Sequence, residues 1–271
     1  MIKPERDKSC RILVGTSGYS YTEWIDGGFY PPGTGSREML SWYAKQFPAT
    51  ELNYTWYQMP RAQTVERMQR KVPEDFCFAA KLTRTMTHEV DSEKWRGQVT
   101  LYRNGIAPLL QTGRLLAVLI QLPPFFNRSK QNRLYLAKLL DALSDLPLAV
   151  EFRHVSWAHD RVFAALEARN VALVCVDAPD LSGLFPRLNV VTSSNLFYIR
   201  FHGRNTTGWH SGNMQKQFDY DYSEQELKEW SENKIPEMAG KTTSGIIFFN
   251  NHVRGQAPKN AQILMSQINR S

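Results

Sequence analysis

The chain has 271 residues, 42% of them hydrophobic, enough to fill the core of one large domain. Lys and Arg outnumber Asp and Glu 33 to 26, but no run of five like charges occurs, so the excess reads as a solvated surface or a diffuse nucleic-acid footprint and not as a basic tail. Three scattered cysteines, Cys10, Cys77 and Cys175, argue against a disulfide framework or a zinc site, and no apolar stretch approaches the roughly 18–20 residues of a membrane span, so a cytoplasmic protein that does not use the membrane is expected.

In chain order, a polar tail over 1–10 precedes a first strand, Arg11–Gly15, and a long aromatic-rich loop, Thr16–Gly35. Leu40, Tyr43, Ala44 and Phe47 recur at helical spacing. Strands are predicted at Glu51–Tyr54, Phe76–Lys81, Leu115–Leu122, Leu146–Arg153, Val171–Asp177, Phe197–His202 and Gly245–Asn250. Between them lie helical patterns at Gln63–Val72, Glu93–Leu110, the stripe Leu136, Leu139, Leu140 and Leu143, Arg161–Arg169 and Ser223–Lys234, the last opened by a capping box of Ser223 with Glu226. Ala261, Leu264, Met265 and Ile268 mark a final helix, and a second aromatic-rich loop spans Gly203–Tyr222. The interval after the sixth strand, "APDLSGLFPRLNVVTSSN", shows no helical pattern, so that unit is degenerate. Eight strands alternating with helices predict an α/β fold, a single TIM-barrel-like (β/α)8 domain over 11–271. An open doubly wound sheet is the competing arrangement, but the turn "GTSGYSY" lacks the third glycine of a dinucleotide fingerprint.

The strands turn polar at one end. Side chains alternate across a strand, so Tyr198, Arg200 and His202 share a face, as do Ala149, Glu151 and Arg153, Glu51 and Asn53, Cys175 and Asp177, and Phe248 and Asn250. Lys81 and Gln121 close the third and fourth strands. Buried charges are costly unless paired or facing water, so such residues are expected to converge at the carboxyl mouth of the barrel, either as a site or as a buried plug of salt bridges.

At these residues the sequence resembles a known family. The segments "VGTSGYSYTEW", "FYP", "ELNYTWYQMP", "IQLPPFF", "VEFRHVSW", "YIRFHGR" and "FFNNHVRGQAPKNA" are similar in kind and order to the domain-of-unknown-function 72 family, the YecE-like proteins, from about Val14 to Ile268. The resemblance implies a TIM-barrel-like fold in a bacterial-type cytoplasmic protein and no established reaction. One departure is Tyr54-Thr55-Trp56-Tyr57, where a Ser-Thr-Phe-Tyr-like run is expected.

The chemistry of this inventory points first to a small anion. Lys81, Arg153, Arg200 and Arg204 outnumber Glu51, Glu151 and Asp177, and guanidinium groups clamp phosphate or carboxylate. An enzyme that hydrolyses or isomerises a phosphorylated or nucleotide-like molecule fits. Glu151, His202, Asp177 and Lys81 are its candidate catalytic groups, with Glu51, Asn53, Gln121, Arg153, His154, Arg200, Arg204, Asn250, Asn251 and Ser17 as binding groups. Ser17 has no base that the sequence identifies as its partner, which leaves it without support as a nucleophile. Trp24, Trp56 and Trp157 could stack a sugar or base, or cover the core. No cofactor is favoured. Were a divalent metal present, Glu151, Asp177 and His202 would hold it, an order similar to metal-dependent sugar isomerases and apurinic-site endonucleases, and a phosphodiesterase or endonuclease would follow. Lys81 could form a Schiff base or a salt bridge to Glu51. His88, His159, His210 and His252 show no ligand spacing and read as surface or loop residues. The non-enzyme alternative is a nucleic-acid- or partner-binding module that uses the basic surface.

Overall fold

In the computed structural model, which describes residues 10–270, eight parallel strands close into a barrel in the order β1 to β8, with β1 also paired to β8. They are β1 Arg11–Ser17, β2 Ala49–Leu52, β3 Cys77–Lys81, β4 Leu115–Gln121, β5 Leu148–Glu151, β6 Ala172–Asp177, β7 Leu196–Phe201 and β8 Ser244–Phe249. The strands are apolar on both faces for most of their length because helices cover the outside and packed side chains fill the inside. Apart from Cys10, the tail expected over 1–10 lies outside the described residues.

Two helical stripes fall where the 3.6-residue period places them, whereas the helix expected to run from Leu40 to Phe47 spans only Met39–Tyr43. The helix Lys130–Ala142 is capped by Ser129 and buries Leu136, Leu139 and Leu140. Gln256–Ile268 buries Ala261 and Leu264. The Ser223 and Glu226 capping box forms and opens the helix Glu224–Glu229. Among the described residues no helix separates β6 from β7, and none is long and apolar enough to cross a membrane. The second strand is displaced from its expected span: it ends at Leu52, and Asn53 bends the chain into a one-turn helix, Tyr54–Tyr57.

Register decides what points inward. Parallel partners share a face, so Ser17, Glu51 and Ala79 lie side by side, as do Gln121 and Glu151, and Val176, Arg200 and Phe248. The rest of the interior is filled by small residues, Ala49, Ala117 and Ala149 beside Ala79, against the larger Leu119, Tyr198 and Phe248. Gly15 completes the layer: a Cβ there would sit 2.1 Å from the Ala49 carbonyl oxygen, so no side chain fits between β1 and β2.

Candidate functional site

At the carboxyl end the interior turns ionic. Arg200, on β7, reaches across the barrel and bridges two carboxylates, with Nη2 2.7 Å from Glu51 Oε1 on β2 and Nη1 2.6 Å from Glu151 Oε2 on β5. Ser17 Oγ donates to Glu51 and accepts from Arg200 Nη2 at 2.9 Å, and the Tyr198 hydroxyl donates to Glu51 Oε2 at 2.5 Å. These groups are buried. Burial works against the Arg200 charge, but Glu151 and Glu51 overcome it and raise its pKa, while burial and then Glu51 hold the Tyr198 phenol well above its usual range.

A second layer sits on this floor. Arg153 Nε lies 2.5 Å from Glu151 Oε1, off the line of a hydrogen bond, and its side chain keeps 12% exposure where Glu151 has none. His202 Nε2 is 3.2 Å from both Glu151 Oε1 and Arg153 Nη2, and Nδ1 is 3.1 Å from Asn250 Nδ2. Burial and the Arg153 charge push His202 down to about 3, so its imidazole is neutral. Burial alone would raise Glu151, but Arg153 and Arg200 hold it well below the usual carboxylate range.

Lys81 is different. Its Nζ is 3.3 Å from the neutral Gln121 Oε1 and 5.5 Å from the centre of the Trp56 ring, and no carboxylate among the described residues lies within ion-pair distance. The salt bridge to Glu51 that the sequence allowed does not form, because Arg200, Ser17 and Tyr198 occupy that carboxylate. Burial, followed by the Arg200 charge, lowers Lys81 to about 8.

Above these groups opens a cavity of about 660 Å³, lined by Asn53, Lys81, Gln121, Arg153, Arg200 and Asn250 and walled by aromatic rings. Sequence reasoning missed most of that wall: Tyr21, Tyr54, Tyr57, Phe218 and two histidines. His88 accepts from Trp56 Nε1 at 3.3 Å, and burial followed by the Lys81 charge lowers it to about 4. His252 stacks on Tyr21 with ring centres 4.8 Å apart. Both lie in loops, as the sequence suggested, but they line the cavity in place of the outer surface. The signal for them was the aromatic content of the loops, which does not say where a ring points.

Other expected site residues lie elsewhere. Asp177 faces outward, because Val176 is the β6 residue in register with the inward Arg200. Its carboxylate accepts two bonds from Arg204, at 2.8 and 2.6 Å, and others from the Tyr222 hydroxyl and Trp230 Nε1. Glu151, Asp177 and His202 therefore do not meet, and among the described residues no group of three His, Cys, Asp or Glu side chains is placed to hold a metal. Arg204 belongs to the outward cluster with Asp177 and Glu226. Trp24 is fully buried and donates to the His252 carbonyl, and Trp157 is stacked between Phe126 and Phe152, so neither ring is free to stack a ligand. His154 turns to Ser156 and caps a short turn, and Asn251 is fixed by Tyr220 and Asn260.

A family model described as "Protein of unknown function DUF72" matches residues 13–271. A DUF72 family protein from Thermotoga maritima superposes with a TM-score of 0.87 at 35% identity, covering 96% of this chain and 99% of that one. Another, from Enterococcus faecalis, gives 0.85 at 28% identity over 96% of each chain. The Bacillus subtilis "UPF0759 protein YunF" is 28% identical over 95% of this chain and 94% of its own length.

Proposed function

The chain belongs to the DUF72 family, and we propose that its barrel mouth is the active site of an enzyme that binds a small phosphorylated or nucleotide-like anion and hydrolyses or isomerises it. The observation that carries this reading is charge balance. Lys81, Arg153 and Arg200 face Glu51 and Glu151, His202 is neutral, and Lys81, which has no carboxylate within ion-pair distance among the described residues, lines the cavity. A surplus positive charge in a partly desolvated pocket is satisfied by an anion. Arg153, still partly exposed, supplies a guanidinium to an anionic group. The rings of Tyr21, Trp56, Tyr57 and Phe218 offer apolar faces to a sugar or base.

The roles divide by proton affinity. Glu151 is pinned by two guanidinium groups and is a weak base, so it acts as an electrostatic anchor. Acid–base work falls to groups nearer neutrality, with Lys81 foremost. Isothermal calorimetry with inorganic phosphate, sugar phosphates and nucleotides, beside neutral sugars, tests the reading. Binding confined to the anions, and weakened in Arg153→Ala, is expected. A folded protein that binds none of them overturns it.

A further inference from the structure

Lys81 combines properties that salt-bridged lysines lack. It ends β3, points into the cavity, and contacts a neutral amide and an indole face in place of a carboxylate. The carboxylates nearest in the floor are already saturated: Glu51 by Ser17, Tyr198 and Arg200, and Glu151 by Arg153 and Arg200. Burial and the Arg200 charge act against its proton more strongly than the amide oxygen and the indole face favour it, and a free amine beside an apolar wall is a nucleophile. We propose that Lys81 condenses with the carbonyl of a small phosphorylated aldehyde or ketone, which makes the substrate class carbonyl-bearing and the intermediate covalent. This rests on the anion-binding reading above, since the phosphate is what brings the carbonyl to the lysine.

The step balances without a further reactant. The amine lone pair attacks the carbonyl carbon, a C–N bond forms, and the π pair of C=O moves to oxygen. That oxygen takes a proton as nitrogen gives one up. The carbinolamine then expels water, and the products are an imine and one water molecule. His88 lines the same cavity, and its Nδ1 accepts from Trp56, so its proton resides on Nε2. The neighbouring cations, Arg153 and Arg200, favour the unprotonated amine and, once the imine forms, an anionic group on the same molecule. A lysine near pKa 8 is mostly protonated at neutral pH but retains about a tenth as free amine.

Trapping with sodium borohydride tests this on the whole chain. The protein is incubated with glyceraldehyde 3-phosphate or dihydroxyacetone phosphate, reduced, and read by intact mass and peptide mapping. One saturable adduct, mapped to Lys81, suppressed by excess inorganic phosphate and absent in Lys81→Gln, is expected. Adducts spread over surface lysines equally in the wild type and the variant would overturn the proposal, whether or not the variant is fully stable, because the wild-type map alone shows the site. Calorimetry with glycerol 3-phosphate, which has no carbonyl, separates the two readings. If it binds while no Lys81 adduct forms, the imine falls and the anion site stands. If Lys81 is labelled equally by glyceraldehyde and its phosphate, and glycerol 3-phosphate does not bind, the anion site falls, and with it the phosphorylated substrate class.

Discussion

The Tyr198 hydroxyl donates to Glu51 at 2.5 Å although β7 and β2 are not neighbours in the sheet, since β8 and β1 stand between them. The bond crosses the barrel interior, and Arg200 crosses beside it to join Glu51 to Glu151. The floor of the cavity is thus one network drawn from opposite sides of the ring. It is at once a plug and the base on which the accessible groups Arg153 and Lys81 sit.

Replacing Arg200 by Met leaves two buried carboxylates without their shared cation. A loss of about 3–5 kcal/mol in folding stability is expected, the usual cost of stranding a buried charge. Arg200→Lys restores the charge but not the two-pronged bridge, and falls between. Urea denaturation reads the order directly, and a Met variant as stable as the parent shows that the floor is not held by this cation.

Stability should fall on mild acidification. His202 is neutral in the fold down to about pH 3, whereas the unfolded imidazole takes a proton near about pH 6.5. Between those values the unfolded chain binds more protons, so stability declines as pH drops, by up to about 1.4 kcal/mol per pH unit from this group. His88 acts in the same direction, weakened by solvent. Glu151, with its depressed pKa, adds stability above the usual carboxylate range that is lost as pH falls through its folded value. Denaturant titrations between about pH 7 and about pH 4 give the slope. His202→Gln should flatten it, and an unchanged slope would assign the pH dependence to other groups.

The tryptophans should separate by role. Trp157→Ala removes a ring stacked between Phe126 and Phe152 and is expected to cost about 3–5 kcal/mol while leaving phosphate affinity in the folded protein intact. Trp56→Ala opens the cavity wall beside Lys81, so it should weaken phosphate-ester binding with a smaller stability loss. The paired readout is thermal melting with calorimetry, and equal binding losses in both variants would contradict the assignment.

Asp177→Asn probes the outward cluster. It takes a charge from Arg204 while leaving Tyr222 and Trp230 an acceptor, and a loss of roughly 3 kcal/mol is expected. Borohydride trapping at Lys81 should survive in the folded variant. Its selective disappearance, with folding intact, would mean that Asp177 acts in the chemistry after all.

Much of the floor was legible because a period of two is a strong signal where polar and apolar residues alternate. Tyr198 and Arg200 show it on β7 with His202 just past its end, and Glu151 on β5 with Arg153 just past its end. The same rule misassigned Asp177, because Ala172–Val176 is apolar on both faces and offers no phase. Only pairing with β7, which sets Val176 beside Arg200, shows which β6 residues point inward. Trp24 and Trp157 were misleading for a related reason: a residue just past a strand end has no periodicity to say whether its ring enters the cavity or the core.

By itself the order of residues determined eight strands, their polar ends and the family, because hydrophobic period and signature segments are local properties of the chain. Tertiary structure alone decided which carboxylate meets which cation. Arg200 is 149 positions from Glu51 and 49 from Glu151, and only the closed ring's register brings both within its reach. That same pairing leaves Lys81 without an acid among the described residues, an outcome no local pattern encodes, because other cations and hydroxyls hold the carboxylates of the floor.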